Sequence, residues 1–161
     1  MGLPREVLIK RINVELKVCS TYLKIEIPQV MDDRPFPIEI TLNLRNIPAY
    51  VLNGDDIEHI EDHTMIVTID EEFGFKKPKI RWNTPIFHPN IMMPSDGGHV
   101  CLNTLDKWEF SYHLIDVIQG VEQLIMHPNP QSPLGTDSCM KASEYLNNES
   151  KFEVSVKYGG R

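Results

Sequence analysis

The apolar residues of this chain change period early, and that change limits the folds open to it. Leu8, Ile9, Ile12 and Leu16 recur at helical spacing through about Val18, with Pro4 placed at the first turn. After Ser20 the period falls to two. Leu23, Ile25 and Ile27 alternate with Lys24 and Glu26, and Pro28 ends the run. Ile38, Ile40, Leu42 and Leu44 then alternate with Glu39, Thr41, Asn43 and Arg45, the pattern of a strand with one face in a core and the other in water. Asn53-Gly54 signals a hairpin between Tyr50-Val51-Leu52 and Ile57, with Met65, Val67 and Ile69 continuing the returning strand, and a fourth strand fits Lys79 to Trp82. Helical spacing resumes at Leu114, Ile115, Ile118, Val121, Leu124 and Ile125, with Ser111 expected as N-cap and His127-Pro128-Asn129-Pro130 as the stop. A third helix is expected from near Asp137 to about Asn148, and Phe152 to Tyr158 reads as a short strand or a tail. Strands gathered in one run and followed by helices predict an α+β fold: an N-terminal helix, a four-stranded antiparallel meander, then two or more helices.

With 161 residues, 41% of them hydrophobic and 24% charged, the chain is expected to form a single domain over residues 1–161 with a real core, not a disordered segment. Its apolar runs are too short to cross a bilayer, and Met1-Gly2-Leu3-Pro4-Arg5-Glu6 has neither an apolar secretory run nor a myristoylation signal, so a cytoplasmic location is expected. A net charge of −7 without a dense basic stretch argues against nucleic acid as ligand. The charge is uneven, because residues 1–24 carry +3 and the remainder −10. A basic end on an acidic body suits an acidic protein partner.

Three cysteines, Cys19, Cys101 and Cys139, stand at neither disulfide nor zinc spacing. His59 and His63 are spaced as helical metal ligands would be but fall in a hairpin, so no metal and no cofactor is expected; the acidic cluster Asp55, Asp56, Glu58, Glu61 and Asp62 reads as its solvated tip. Cys101 is the informative one. It follows Asp96-Gly97-Gly98-His99-Val100, within an irregular stretch of about two dozen residues beyond His88-Pro89-Asn90, and stretches of that length in a compact domain usually build a site. Glycines on the approach allow close backbone contact, and an upstream asparagine offers amide donors to an oxyanion. Local chemistry leaves two readings: a nucleophilic thiol, or a buried structural cysteine.

Taken in order, these segments resemble the ubiquitin-conjugating enzyme family over roughly residues 5 to 148. Lys10-Arg11-Ile12-Asn13 with Glu15-Leu16 is similar to its first helix, and Phe73-Gly74-Phe75-Lys76-Lys77-Pro78-Lys79 to the loop before its fourth strand. His88-Pro89-Asn90 is similar to its signature tripeptide, Cys101-Leu102 to its catalytic cysteine, Trp108 to the tryptophan that follows, and Pro128-Asn129-Pro130-Gln131-Ser132-Pro133-Leu134 to the segment after its second helix. The resemblance implies an acyltransferase that accepts ubiquitin or a ubiquitin-like modifier from an activating enzyme as a thioester on Cys101 and passes it to a lysine amine. Asn90 would donate to the oxyanion or hold the loop that does, and Ser132 would stand at the mouth of the site. His88, Pro89 and Trp108 would be structural. Lys10, Arg11 and Lys17 would bind the activating enzyme, and Phe75 with Phe110 a RING-type ligase. His99, two residues before the thiol, reads as a solvent-facing loop residue with a possible modulating role.

Several segments depart from the family pattern. The connection from Asn90 to Cys101, through Met93-Pro94-Ser95-Asp96-Gly97-Gly98, is long, and Glu109-Phe110 stands where many members have Ser-Pro. These differences imply a divergent member and leave open a modifier other than ubiquitin itself. The competing functional readings are a non-catalytic variant that only binds modifiers or partners, disfavoured by the presence of Cys101, and a cysteine hydrolase, which needs a histidine base beside the thiol.

Overall fold

A computed structural model describes residues 2–159, with side chains described through residue 149. Helix α1 (Arg5–Leu23) buries Leu8, Ile9, Ile12, Leu16 and Cys19 on the expected face. It runs five residues past Val18, because Lys24 adopts φ 56° and its N–H returns to the Ser20 carbonyl, a left-handed C-cap. The strand expected at 23–27 is therefore absent. Leu23 belongs to the helix, and the following segment is fastened by side chains instead of a sheet neighbour: Ser20 Oγ donates to the Ile25 carbonyl (2.5 Å). Asn13 donates to the Val30 carbonyl (2.9 Å) and accepts from the Val30 N–H (2.7 Å), taking both backbone groups that a strand partner would have taken.

Five strands follow: β1 (Ile38–Leu44), β2 (Ala49–Asn53), β3 (Asp56–Ile60), β4 (His63–Ile69) and β5 (Lys79–Trp82). The four-strand meander resolves into a three-stranded antiparallel sheet of order β1-β4-β5 and a separate β2-β3 hairpin. Met65, Val67 and Ile69 do not continue the hairpin; they form β4, which pairs with β1 from Ile38↔Ile69 to Leu44↔His63. Asn46, at φ 60°, swings the chain out of β1, and the Ile47 N–H donates to the Glu61 carbonyl (3.0 Å) to close the neck of the hairpin. The alternation of β1 is realised fully, with Ile38, Ile40, Leu42 and Leu44 inward, each such side chain contributing about 1.5–3 kcal/mol by burial.

Helices α2 (Asn103–Asp106), α3 (Leu114–Met126) and α4 (Asp137–Gly159) complete the described chain. Helix α3 starts three residues after Ser111, because His113 is the N-cap: its N–H donates to Asp116 Oδ2 (2.8 Å), while the Leu114 N–H donates to Glu15 Oε1 of α1 (2.6 Å). Leu114, Val117, Ile118, Val121 and Ile125 join α1 and the sheet in one hydrophobic cluster. Residues 152–158, expected as strand or tail, continue α4. None of the helices searched among the described residues is long and apolar enough to cross a membrane.

Candidate active site

Cys101 is exposed, whereas Cys19 and Cys139 are buried. Burial pushes the Cys19 thiol up to about 12 and raises that of Cys139, whose Sγ donates to the Ile91 carbonyl (3.5 Å). Both are poor nucleophiles, since the thiolate is the reactive form.

The long connection before Cys101 does not carry it away from the tripeptide. Ile91 bridges to Val100, the Met92 N–H donates to the His99 carbonyl (2.8 Å), and the Cys101 N–H donates to the Asn90 carbonyl (3.0 Å). The extra residues form a closed excursion built on a 3-10 turn at Pro94–Asp96. Its return depends on Gly98, at φ 65°, where an added Cβ would lie 2.5 Å from the Trp82 carbonyl oxygen. After the thiol, Leu102 packs against α3 at Gly120, where an added Cβ would meet Leu102 Cδ1 at 3.0 Å. That contact explains a glycine inside a helix.

His88, Pro89 and Asn90 are all buried. The Asn90 N–H donates to His88 Nδ1 (3.0 Å), which leaves Nε2 as the protonated ring nitrogen, donating to the Leu124 carbonyl (2.8 Å). Burial lowers the imidazole to about 4, so it is neutral at physiological pH and bonded at both nitrogens. The Asn90 side chain is equally committed. Its Nδ2 donates to the carbonyls of Asn129 and Ser132 (3.1 Å each), and its Oδ1 accepts from the Asn129 N–H (2.8 Å). The Leu134 N–H donates to the Pro89 carbonyl (2.9 Å). The tripeptide is thus a clasp between the Cys101 segment and the loop over residues 129–134. Ser132 is exposed on that loop and meets Asn90 through its backbone oxygen. Asn129, reciprocally bonded to Asn90, was not singled out in the sequence; its position between Pro128 and Pro130 was the available sign. His99 is exposed.

The other expected site residues are held by different contacts. Trp108 donates from Nε1 to the Gly74 carbonyl (2.9 Å), fixing the two loops that present Phe75 and Phe110. These rings are 53% and 47% exposed, and their centroids lie 4.7 Å apart. Phe110 therefore does not turn into the core. Lys10 and Lys17 are exposed, as docking requires. Arg11 is not. Its side chain is 15% exposed and ion-paired with Glu15 at 2.7 Å. Its guanidinium lies over the rings of Phe73 (5.1 Å) and Phe110 (4.6 Å), and Nη2 donates to the carbonyls of Phe110 and Tyr112. Arg11, expected to meet the activating enzyme alongside Lys10, is engaged by these partners within the chain. A second apolar stripe on α1, with Val7, Val14 and Val18 roughly half exposed, also escaped the sequence reading despite its helical spacing.

The two histidines considered as metal ligands have other partners. His63 Nε2 bonds the Ile47 carbonyl (2.8 Å), and His59 packs on Tyr50 with ring centroids 5.1 Å apart.

Comparison with known proteins agrees with this geometry. The family described as "Ubiquitin-conjugating enzyme" matches residues 59–158. "Ubiquitin-conjugating enzyme E2 T" of Mus musculus is 34% identical over 118 residues, covering 70% of this chain and 55% of the relative. Its namesake from Bos taurus is 35% identical over 115 residues, covering 68% and 56%. The chain thus spans about half the length of these curated relatives. Among solved structures, "S. cerevisiae Ubc12" superposes with a TM-score of 0.62 at 23% identity, covering 87% of this chain and 69% of that one, a likeness of fold. With a family match over residues 59–158, more than half its length, the chain belongs to the ubiquitin-conjugating enzyme family.

Proposed function

We propose that the protein accepts a modifier from its activating enzyme as a thioester on Cys101 and transfers it to lysine amines of target proteins, assisted by a RING-type ligase. In the first step the Cys101 thiolate attacks the modifier's C-terminal carbonyl, already a thioester on the activating enzyme, and that enzyme's thiolate leaves. In the second a neutral lysine amine attacks the same carbon, the C–N bond forms, the C–S bond breaks, and the amine proton passes to solvent. Dividing one acyl transfer into two thioester steps lowers each barrier. The observation that carries the reading is that Cys101 is the exposed thiol of the three and its backbone is hydrogen-bonded to Asn90. The name of the curated relatives makes ubiquitin the first modifier to test.

In this mechanism Asn90 acts chiefly by holding the 129–132 loop beside the thiol, since both Nδ2 hydrogens are spent on its carbonyls. Donation to the oxyanion of the transfer step would exchange one of those bonds. Ser132 contributes a hydroxyl at the mouth of the site and no charge. His88 does not serve as base, because it is buried, neutral and bonded at both nitrogens. Lysine reactivity then comes from desolvation and alignment. Cysteines free of disulfides suit a cytoplasmic enzyme.

The test is charging with activating enzyme, ATP and ubiquitin, read on a non-reducing gel. A thiol-sensitive adduct is expected for the wild type, Cys19→Ala and Cys139→Ala, and none for Cys101→Ala. An undiminished adduct on Cys101→Ala defeats the assignment.

A further inference from the structure

We infer that Arg11 is a positioning residue for the aromatic platform of Phe75 and Phe110, locking the Phe110 loop from helix α1. This deepens the proposed function, and rests on it, in taking that platform as the docking surface for a RING-type ligase.

Two large rings side by side and about half exposed form an unusual surface feature, and exposed aromatics are ordered only where something offsets their lost freedom. Within the loop between α2 and α3 the Tyr112 N–H donates to the Glu109 carbonyl (2.9 Å). Trp108 ties this loop to the Phe75 loop through the Gly74 carbonyl (2.9 Å), and Arg11 adds a grip from helix α1. Its Nη2 donates to the carbonyls of Phe110 (3.2 Å) and Tyr112 (3.0 Å), gripping the loop on both sides of Ser111. Its Cζ sits 4.6 Å from the centroid of Phe110, the ring that stacks on Phe75. On its other side Nε donates to Glu15 Oε2 (2.7 Å), and Oε1 of the same carboxylate accepts from the Leu114 N–H (2.6 Å), which fixes the start of α3. The Phe75 loop is shaped to the same group. Gly74, at φ 103°, comes so near that an added Cβ would lie 2.6 Å from Arg11 Nη1.

Arginine is the side chain that meets all of these demands together. Its flat fork lies against a ring while donating in its own plane to two carbonyls and a carboxylate, whereas a lysine ammonium has neither the plane nor the reach. The buried ring of Phe73 lies 5.1 Å from the same guanidinium carbon, so one side chain touches both a core ring and a surface ring.

The test compares full-length wild type, Arg11→Met, Arg11→Lys and Phe110→Ala. Fluorine NMR of 4-fluorophenylalanine placed at position 110 reports ring order without any partner. Arg11→Met is expected to collapse the dispersed signal to that of a free ring, and Arg11→Lys to recover it only in part, with α3 amides unshifted beyond the first turn. Thioester discharge is then measured with isolated RING domains chosen because they accelerate the wild type. Acceleration is expected to fall on the order of tenfold in Arg11→Met, equivalent to about 1.4 kcal/mol. Phe110→Ala should match it, with the double variant no worse than either, while charging changes far less. An unaltered fluorine signal in Arg11→Met, or equal loss in charging and in accelerated discharge, overturns the inference. If no RING domain accelerates the wild type, the ligase reading fails, and the fluorine signal still decides whether Arg11 holds the ring.

Discussion

Asn90 carries more of the site than any residue except the thiol. It is 3% exposed, and its side chain makes three hydrogen bonds to one neighbouring loop, so truncating it removes roughly 3 kcal/mol of hydrogen bonding and strands the backbone groups of Asn129 and Ser132. The thiol does not depend on those bonds, because Cys101 meets Asn90 through the backbone. Asn90→Ala is therefore expected to accept modifier nearly as well as wild type but to discharge to free lysine on the order of 10²-fold more slowly, with a lowered melting temperature. Pulse-chase discharge assays with differential scanning fluorimetry check both halves. Asn90→Asp sharpens the result, since a carboxylate replaces two donors with acceptors facing two carbonyls and should damage the loop more than alanine does. Ser132→Ala, which keeps the backbone carbonyl that Asn90 uses, should slow discharge only modestly.

At the scale of elements, helix α1 shows what a single sequence makes legible. Its core stripe was readable from spacing alone, because burial of Leu8, Ile12 and Leu16 follows the 3.6-residue period wherever a core lies. The role of Arg11 was not. A basic residue beside Lys10 reads as surface charge until the fold brings Phe110 and Tyr112, about a hundred positions away, against it. The missing strand at 23–27 has the same kind of origin: alternation predicted an extended strand, but Leu23 stays in the helix and the Ile25 carbonyl finds its partner in Ser20 on that helix. This division changes the docking experiment. Lys10 and Lys17 are exposed on the helix, whereas reversing Arg11 would break its contacts with the loop and confuse the result. Lys10→Glu/Lys17→Glu is expected to slow charging several-fold at low salt. The defect should narrow as ionic strength rises above 0.1 M, where the screening length is about 10 Å. Discharge of pre-charged protein should be unchanged, and a salt-independent loss would mean that these lysines do not steer the activating enzyme.

Across the whole molecule, the order of elements and the segment carrying the thiol were legible because each has a local signature, period or motif. The clasp that assembles the site was not, since it joins residues near 90, 101 and 130 through backbone carbonyls that have no sequence signature. The same long-range assembly ties stability to pH. His88 is lowered by burial to about 4, and His63, at 2% exposure, is lowered in the same direction for the same reason. In the unfolded chain both protonate near the ordinary value of 6.5, while the folded protein resists the proton, so the unfolded state binds more protons between the two values. Stability from this source is fully present above pH 6.5 and drains away as pH falls toward 4, with His88 alone accounting for about 3 kcal/mol. Urea unfolding at pH 7.5, 6.0 and 5.0, values set by the window about 6.5 to 4, should show a midpoint that declines steadily with acid. His88→Gln, whose amide can donate to the Leu124 carbonyl but does not titrate, should start less stable at pH 7.5 and decline less steeply. Parallel declines for wild type and His88→Gln would place the acid sensitivity outside the clasp, in His63 or in the carboxylates that titrate lower in the range.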